Sequence, residues 1–301
     1  MTAHAFQRAL VLVVLGILLR SVGKPQTYFT FEDTLSQIGL GYVALFLLGL
    51  RPAREQWVAL GLILVGYWAA FALYPLPGPG FDYDKVGVPN TWPHLMTGFA
   101  AHWNKNSNLA WAFDTWFLNL FPREHRFACN RGGYATLSFI PTLATMILGL
   151  LAGGVMRGER APWAKVKWLA TAGVIGLAAG AALGWLGVCP VVKRIWTPSW
   201  VLFSGGWCFL LLAAFYAVME IGRLRRWAFP LVVIGMNSIA AYCIAHLPDA
   251  FIGENLNTHL GAGTFRVFGE AYAPVVQGAL ALGVIWLLLF WMYRRKLFLR
   301  I

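Results

Sequence analysis

The sequence predicts an all-α fold, a polytopic transmembrane helix bundle of about eight spanning helices with both termini cytoplasmic. Three observations carry this. Of the 301 residues, 59% are hydrophobic and only 12% are charged, whereas an ordinary soluble domain holds about 45–50% apolar and about 25% charged residues. The apolar residues run unbroken over stretches near the roughly 20 residues that a spanning helix needs. The basic residues gather in short segments on one side of the expected bundle. Such a chain cannot cover a globule of this size with a water-compatible surface, so a soluble enzyme is excluded. A disordered chain, a coiled coil and a DNA-binding domain are excluded too, despite the net charge of +12. An outer-membrane barrel would alternate apolar and polar residues, and this chain does not.

The spans are expected at about 6–22, 34–50, 57–75, 134–156, 167–189, 198–219, 229–247 and 274–293, in one transmembrane domain over 1–301. The first is bounded by Arg8 and Arg20, which must snorkel to the interfaces, and no small-residue cleavage site follows it. The second opens on Glu32 and Asp33 and carries Ser36 and Gln37. Between the third and fourth lies a long extracytoplasmic loop, about 76–133. In the fourth and fifth, Gly149 and Gly153, and Gly176, Gly180 and Gly184, recur every four residues, a spacing that lets helix backbones approach closely. The sixth begins at Pro198, a residue suited to a first turn, with Thr197 as N-cap. The seventh carries Asn237, Ser238, Tyr242 and His246. Cys129, Cys189, Cys208 and Cys243 form no metal spacing and read as buried small hydrophobes without a disulfide.

Charge orients the bundle. With the N-terminus inside, fourteen of the 24 Lys and Arg fall on the inner side, while nine of the twelve Asp and Glu fall outside. The basic excess is thus a topology signal and an attraction to anionic headgroups, with no nucleic-acid partner implied.

Polar side chains are expensive in a bilayer, so their positions are the functional pointers. Four places stand out. Glu32 and Asp33 either cap a helix or act in a site, and Gln37 lies a turn deeper. In the outer loop His94 and His102 flank a Gly-containing turn. They read as surface residues and not metal ligands, because no third ligand is suitably spaced. After them, Trp103-Asn104-Lys105-Asn106-Ser107-Asn108, Asp114, Trp116 and Asn119 either form an interfacial belt or suit sugar recognition. Lys193-Arg194-Ile195-Trp196-Thr197-Pro198-Ser199 places two cations outside, against the general bias, which calls for an anionic partner such as Glu32, Asp33 or Asp114. In the seventh span Asn237 and His246 lie nine residues apart, about 13 Å on a continuous helix. Tyr242 and His246, four apart, share a face.

These residues resemble the bacterial relatives of heparan-alpha-glucosaminide N-acetyltransferase, polytopic enzymes that move an acetyl group from acetyl-CoA across a membrane onto a glucosamine. The matching stretches are Asp33 to Tyr42, Gly133 to Gly153, Lys193 to Phe203, Phe229 to His246, and Met292-Tyr293-Arg294-Arg295-Lys296-Leu297-Phe298. Two departures accompany the likeness. The chain matches from the family's third helix onward, so the segment with the presumed catalytic histidine has no counterpart. The acidic Asp-Pro-Glu-Gly start of the family's middle helix is here Asn130-Arg131-Gly132-Gly133.

The resemblance implies an acyltransferase of the bacterial cytoplasmic (inner) membrane. Its cosubstrate is acetyl-CoA, with no bound cofactor and no metal, and its acceptor is a sugar or amino sugar on the outer side. Asn237 and Ser238 would face a developing oxyanion, and His246 is the remaining general base. Asp114, Lys193 and Trp196 would hold the acceptor, with Thr197, Ser199, Asp33, Gln37 and Tyr242 completing the binding set. Membrane lipids and acyl-CoA are the other expected partners, and a homo-oligomer stays open. The alternatives are a transporter or permease for a sugar or anion, and a truncated, non-catalytic family member.

Overall fold

In a computed structural model of the chain, residues 2–89, 91–246 and 249–299 are described. Every regular element among them is a helix: α1 (Thr2–Ser21), α2 (Thr34–Gly49), α3 (Ala53–Ala72), α4 (Leu109–Phe117), α5 (Phe139–Arg157), α6 (Pro162–Trp185), α7 (Pro198–Tyr216), α8 (Phe229–Met236), α9 (Ser238–His246), α10 (Asp249–Leu260) and α11 (Ala273–Arg294). Among the described residues six helices are long and apolar enough to cross a membrane, or up to seven if the bent pair α8–α9 is one span. Their outward faces are as apolar as their buried ones. Leu62 and Val65 on α3, Ile175 on α6 and Leu287 on α11 are all more than half exposed, the all-round apolarity of helices that sit in a bilayer.

Two expected spans differ from the pattern read in the sequence. Helix α2 has 16 residues, about 24 Å at 1.5 Å per residue, less than the roughly 30 Å of hydrocarbon. The seventh is not one helix: it breaks at Asn237 with a bend of 70°. Its amide and imidazole therefore do not lie along one axis.

The chain forms two compact units, Met1–Gly222 and Arg223–Ile301. In the first, α5 is central and packs against α2, α3 and α7, while α6 runs along α7 and α1 along α2. Helix α1 buries Ala5, Ala9, Leu12 and Gly16, a stripe at spacings of three and four that faces one neighbour. The α6–α7 seam is built on the expected glycines. A Cβ at Gly180 would stand 2.6 Å from the Ser199 carbonyl oxygen, and one at Gly176 3.0 Å from that of Leu202. The second expected seam is absent. Gly149 meets nothing within 4 Å and Gly153 only the Arg157 side chain, because α5 turns Ala144, Ile147, Leu148 and Leu151 inward instead. Of the cysteines, Cys189 is buried but Cys208 is exposed. It lies two residues past Gly206, so about 200° around α7 from the face that meets α6.

The described residues of the connection between α3 and α5 carry regular turns and a helix. It holds 3-10 turns at Asp84–Val86 and Gly98–Trp103, then α4, which Asn108 caps by accepting from the Trp111 amide. In the second unit α8, α9 and α11 share a small core of Val233, Ala240 and Leu289. Helix α10 was not expected. Its polar composition gives no span signal, and the search for long apolar runs passes over it.

Candidate functional site

The loop between α6 and α7 is locked by two hydroxyls. Thr197 Oγ1 accepts from the Val192 amide at 3.0 Å and donates to the Pro190 carbonyl at 2.8 Å, and Ser199 Oγ donates to the same carbonyl at 2.7 Å. Both residues are fully buried. Thr197 stands at the N-cap of α7 but makes no side-chain cap bond, since its oxygen is committed to the loop behind it. Trp196 sits at φ +52°, a left-handed backbone that costs a bulky residue about 1–2 kcal/mol. Its indole N–H donates to Thr145 Oγ1 of α5 at 3.0 Å, which turns the ring inward. Trp196, Thr197 and Ser199 thus shape the loop, and Lys193 and Arg194 are left exposed on it.

The outer-loop asparagines are spent in the same way. Asn104 exchanges hydrogen bonds with both backbone groups of Met96, each at 2.8 Å. Asn106, in a left-handed conformation at φ +53°, donates to the carbonyls of Val86 and Asn130. Asn108 donates to the Asn104 carbonyl at 2.8 Å. Buried backbone groups must be paired, and here amides do that work. They are not free for a sugar.

Between these two loops and residues 131–133 opens a cleft of about 600 Å³, lined by Trp92, His94, Lys105, Arg131 and Arg194 among others, with Trp103 and Ile195 in its wall. Gly133, at φ +75°, lets the Lys105 stem cross it: a Cβ there would lie 3.0 Å from Lys105 Cγ. The Lys105 ammonium stands 4.7 Å from the centroid of the Trp92 ring and donates to the Gly87 carbonyl at 3.3 Å. Burial, and then the charge of Arg194, hold its pKa below the usual lysine range. The Arg194 guanidinium donates to the Gly132 carbonyl and lies 4.9 Å from the Tyr134 ring centroid. The anionic partner expected for Lys193 and Arg194 is not found: among the described residues neither forms an ion pair with a carboxylate.

The expected carboxylates lie elsewhere. Asp33 caps α2, its Oδ1 accepting from the Ser36 amide at 3.0 Å, and its Oδ2 is buried without a partner. Gln37 is held between Glu32, to whose carbonyl it donates at 3.2 Å, and Thr142, which donates to it at 2.8 Å. Asp114 accepts from the Thr136 amide at 3.0 Å. Burial, opposed by that bond, raises its pKa to about 6, and burial raises that of Glu32 as well. Asp114 borders a cavity of about 10 Å³ beside Asn106, Asn108 and Asn130, about the room of one water.

At the opposite end of α3, α5 and α6 a groove of about 560 Å³ is lined by Gln56, Trp57, Leu151, Arg157, Arg160 and Trp168, among others. The Arg160 guanidinium lies 5.9 Å from the Trp168 ring centroid. Between groove and cleft the interior is apolar, built of Leu60, Ile147, Leu148, Val201 and Phe209.

The second unit holds the remaining expected residues. Asn237 is fully buried, and both ends of its amide are bound: Nδ2 donates to the Leu297 carbonyl at 3.0 Å, and the Leu299 N–H donates to Oδ1 at 3.1 Å. Ser238 starts α9 on an exposed face. His246 stacks on Tyr242, ring centroids 4.0 Å apart, and its Nδ1 is 2.9 Å from the Tyr242 carbonyl. A carbonyl only accepts, so Nδ1 carries the proton of that bond.

No family model and no curated protein matches the chain. Sequence reasoning passed over Trp92 and Arg131 in the cleft and the whole basic groove.

Proposed function

We propose that the chain is a multi-pass acyltransferase of the bacterial inner membrane, with both termini cytoplasmic and eight spans when the short α2 and the bent pair α8–α9 each count as one. It moves an acetyl group from acetyl-CoA on the basic side to a sugar or amino-sugar acceptor in the outer cleft. The observation that carries the reading is the pair of concavities at opposite ends of the same three helices, one basic and aromatic on each side. An enzyme that joins substrates from two compartments needs one on each side. Arg157 and Arg160 suit the phosphates of CoA. Lys105, Arg131 and Arg194 disfavour an ammonium beside them, so they favour the free amine that can attack.

Transfer requires the acetyl thioester to reach the amine across the apolar interior; the amine nitrogen then adds to its carbonyl, the C–S bond breaks, and an amide C–N bond forms. The amine proton passes through a base to the departing thiolate. His246 is the base that the sequence reading supplies. The test is turnover of isotopically labelled acetyl-CoA with glucosamine by the purified protein in nanodiscs. Labelled N-acetylglucosamine is expected, with loss of activity in His246→Ala. Neither binding nor turnover of acetyl-CoA overturns the reading.

A second reading, a transporter for a sugar or anion, is favoured by the break at Asn237, because discontinuous helices mark transporter sites. Uptake into proteoliposomes without acetyl-CoA would support it against the first.

A further inference from the structure

The outer cleft is short of acceptors. Asn104 and Asn108 line it, but their amides are bound to backbone. The side-chain groups left to face a ligand are donors or cations: Lys105, Arg131 and Arg194, with His94 at the rim. Among the described residues no carboxylate lines the cleft. The charge that bears most on Lys105 is that of Arg194, another cation. The wall holds one more unspent donor. The indole N–H of Trp103 is buried, with no hydrogen-bond partner, on a residue only 1% exposed. A buried donor left unpaired is unfavourable, but this nitrogen has no surface open to a ligand. Trp92 adds an aromatic ring of a size to stack on a sugar.

We infer that this cleft takes a sugar-sized ligand bearing an oxyanion, a carboxylate or phosphate set between Lys105 and Arg194, with the ring against Trp92. The inference rests on the reading of the cleft as the acceptor site, and it narrows that acceptor to an acidic sugar. Like charges held close together with no counter-ion are costly in a partly desolvated site, and one oxyanion neutralises both. The same anion would leave the amine of an amino-sugar acid less strongly disfavoured as an ammonium, so the acid group has to sit away from the nucleophilic nitrogen.

The test is calorimetric binding of glucuronate, glucose 6-phosphate and glucose to the full chain in phosphatidylcholine nanodiscs. The two acids are expected to bind at least about tenfold more tightly than glucose, and their affinity should fall as salt rises. Arg194→Gln and Lys105→Gln should each cost the acids about tenfold and change glucose little. Arg194→Lys, which keeps the charge but not the fork, should recover part of the loss. Thermal unfolding of each variant separates lost binding from lost fold. Equal binding of glucose and glucuronate, binding of none of them, or acid binding untouched by a well-folded Arg194→Gln overturns the inference. Displacement of glucuronate when phosphatidylglycerol is added assigns the oxyanion to a lipid headgroup and also overturns the sugar. Acid binding without acetyl transfer leaves the inference standing and removes the acyltransferase. Acetylation of neutral glucosamine that ignores Arg194→Gln does the reverse.

Discussion

The Thr142 hydroxyl on α5 donates to the side-chain oxygen of Gln37 on α2 at 2.8 Å, where both residues are buried. Gln37 drew notice as a polar residue inside a span, and this bond gives it a structural duty. Thr142→Val leaves the Gln37 oxygen unpaired in an apolar interior and should lower stability by about 1–2 kcal/mol. Replacing both, as Gln37→Leu with Thr142→Val, removes donor and acceptor together and should cost less than the sum of the singles. Thermal unfolding of the four proteins closes the cycle. Strict additivity would mean the bond contributes nothing.

Asp114 should make stability depend on pH in the direction opposite to a salt-bridged acid. Its pKa rises from 3.8 to about 6, chiefly through burial. The folded state therefore binds the proton more tightly than the unfolded chain. The stability this provides is full below about pH 3.8 and is lost as pH rises through about 6. A rise of that size sets an upper limit of about 3 kcal/mol at neutral pH. Asp114→Asn keeps an oxygen for the Thr136 amide and removes the charge. Its melting temperature should fall less than that of the parent between pH 4 and 7. Glu32, raised by burial too, leaves a residual slope. Identical slopes in the two proteins would show that Asp114 does not titrate there.

The helices were legible in the sequence because the bilayer imposes a length on apolar runs, and Pro198 and Asp33 mark two of their starts. The break at Asn237 was not. A polar residue in an apolar run is equally compatible with a partner on another helix and with one on its own tail, and the partners here are 60 and 62 residues away. The cleft was half legible. Lys105 and Arg194 read as cations, but Asn104, Asn106 and Asn108 read as ligand groups, because nothing in the sequence shows that the carbonyls at 86, 96, 104 and 130 claim them. Arg131 reads as an ordinary loop residue until Gly132 and Gly133 fold it into the wall.

The glycines of α5 and α6 should respond in opposite ways to the same change. Gly180→Ala places a Cβ 2.6 Å from the Ser199 carbonyl oxygen and 2.7 Å from the Phe203 amide nitrogen, backbone atoms that cannot step aside. The α6–α7 pair must separate, and stability should drop by at least about 1–3 kcal/mol. Gly149→Ala meets open space and gains helix propensity, up to about 1 kcal/mol. Denaturation in mixed micelles ranks the variants, with Gly149→Ala at or above the parent and Gly180→Ala below it. The reverse order would mean that the seam lies on α5.

Asn237 offers the sharpest separation of structure from chemistry. Its amide joins the helix break to the chain's end, accepting from the Leu299 N–H and donating to the Leu297 carbonyl. With its oxygen and one of its two N–H groups held by the tail, the amide keeps a single N–H for any other acceptor. Asn237→Ala deprives both backbone groups of their partners and should cost about 1–3 kcal/mol locally. Hydrogen exchange should quicken at the Leu299 amide, with peptides of α5 and α7 unchanged. Any loss of acetyl transfer should then track the loss of the tail, so that Asn237→Asp, which keeps the acceptor for Leu299 but not the donor, retains part of both. Loss of transfer with full protection at Leu299 would give Asn237 a direct place in the chemistry.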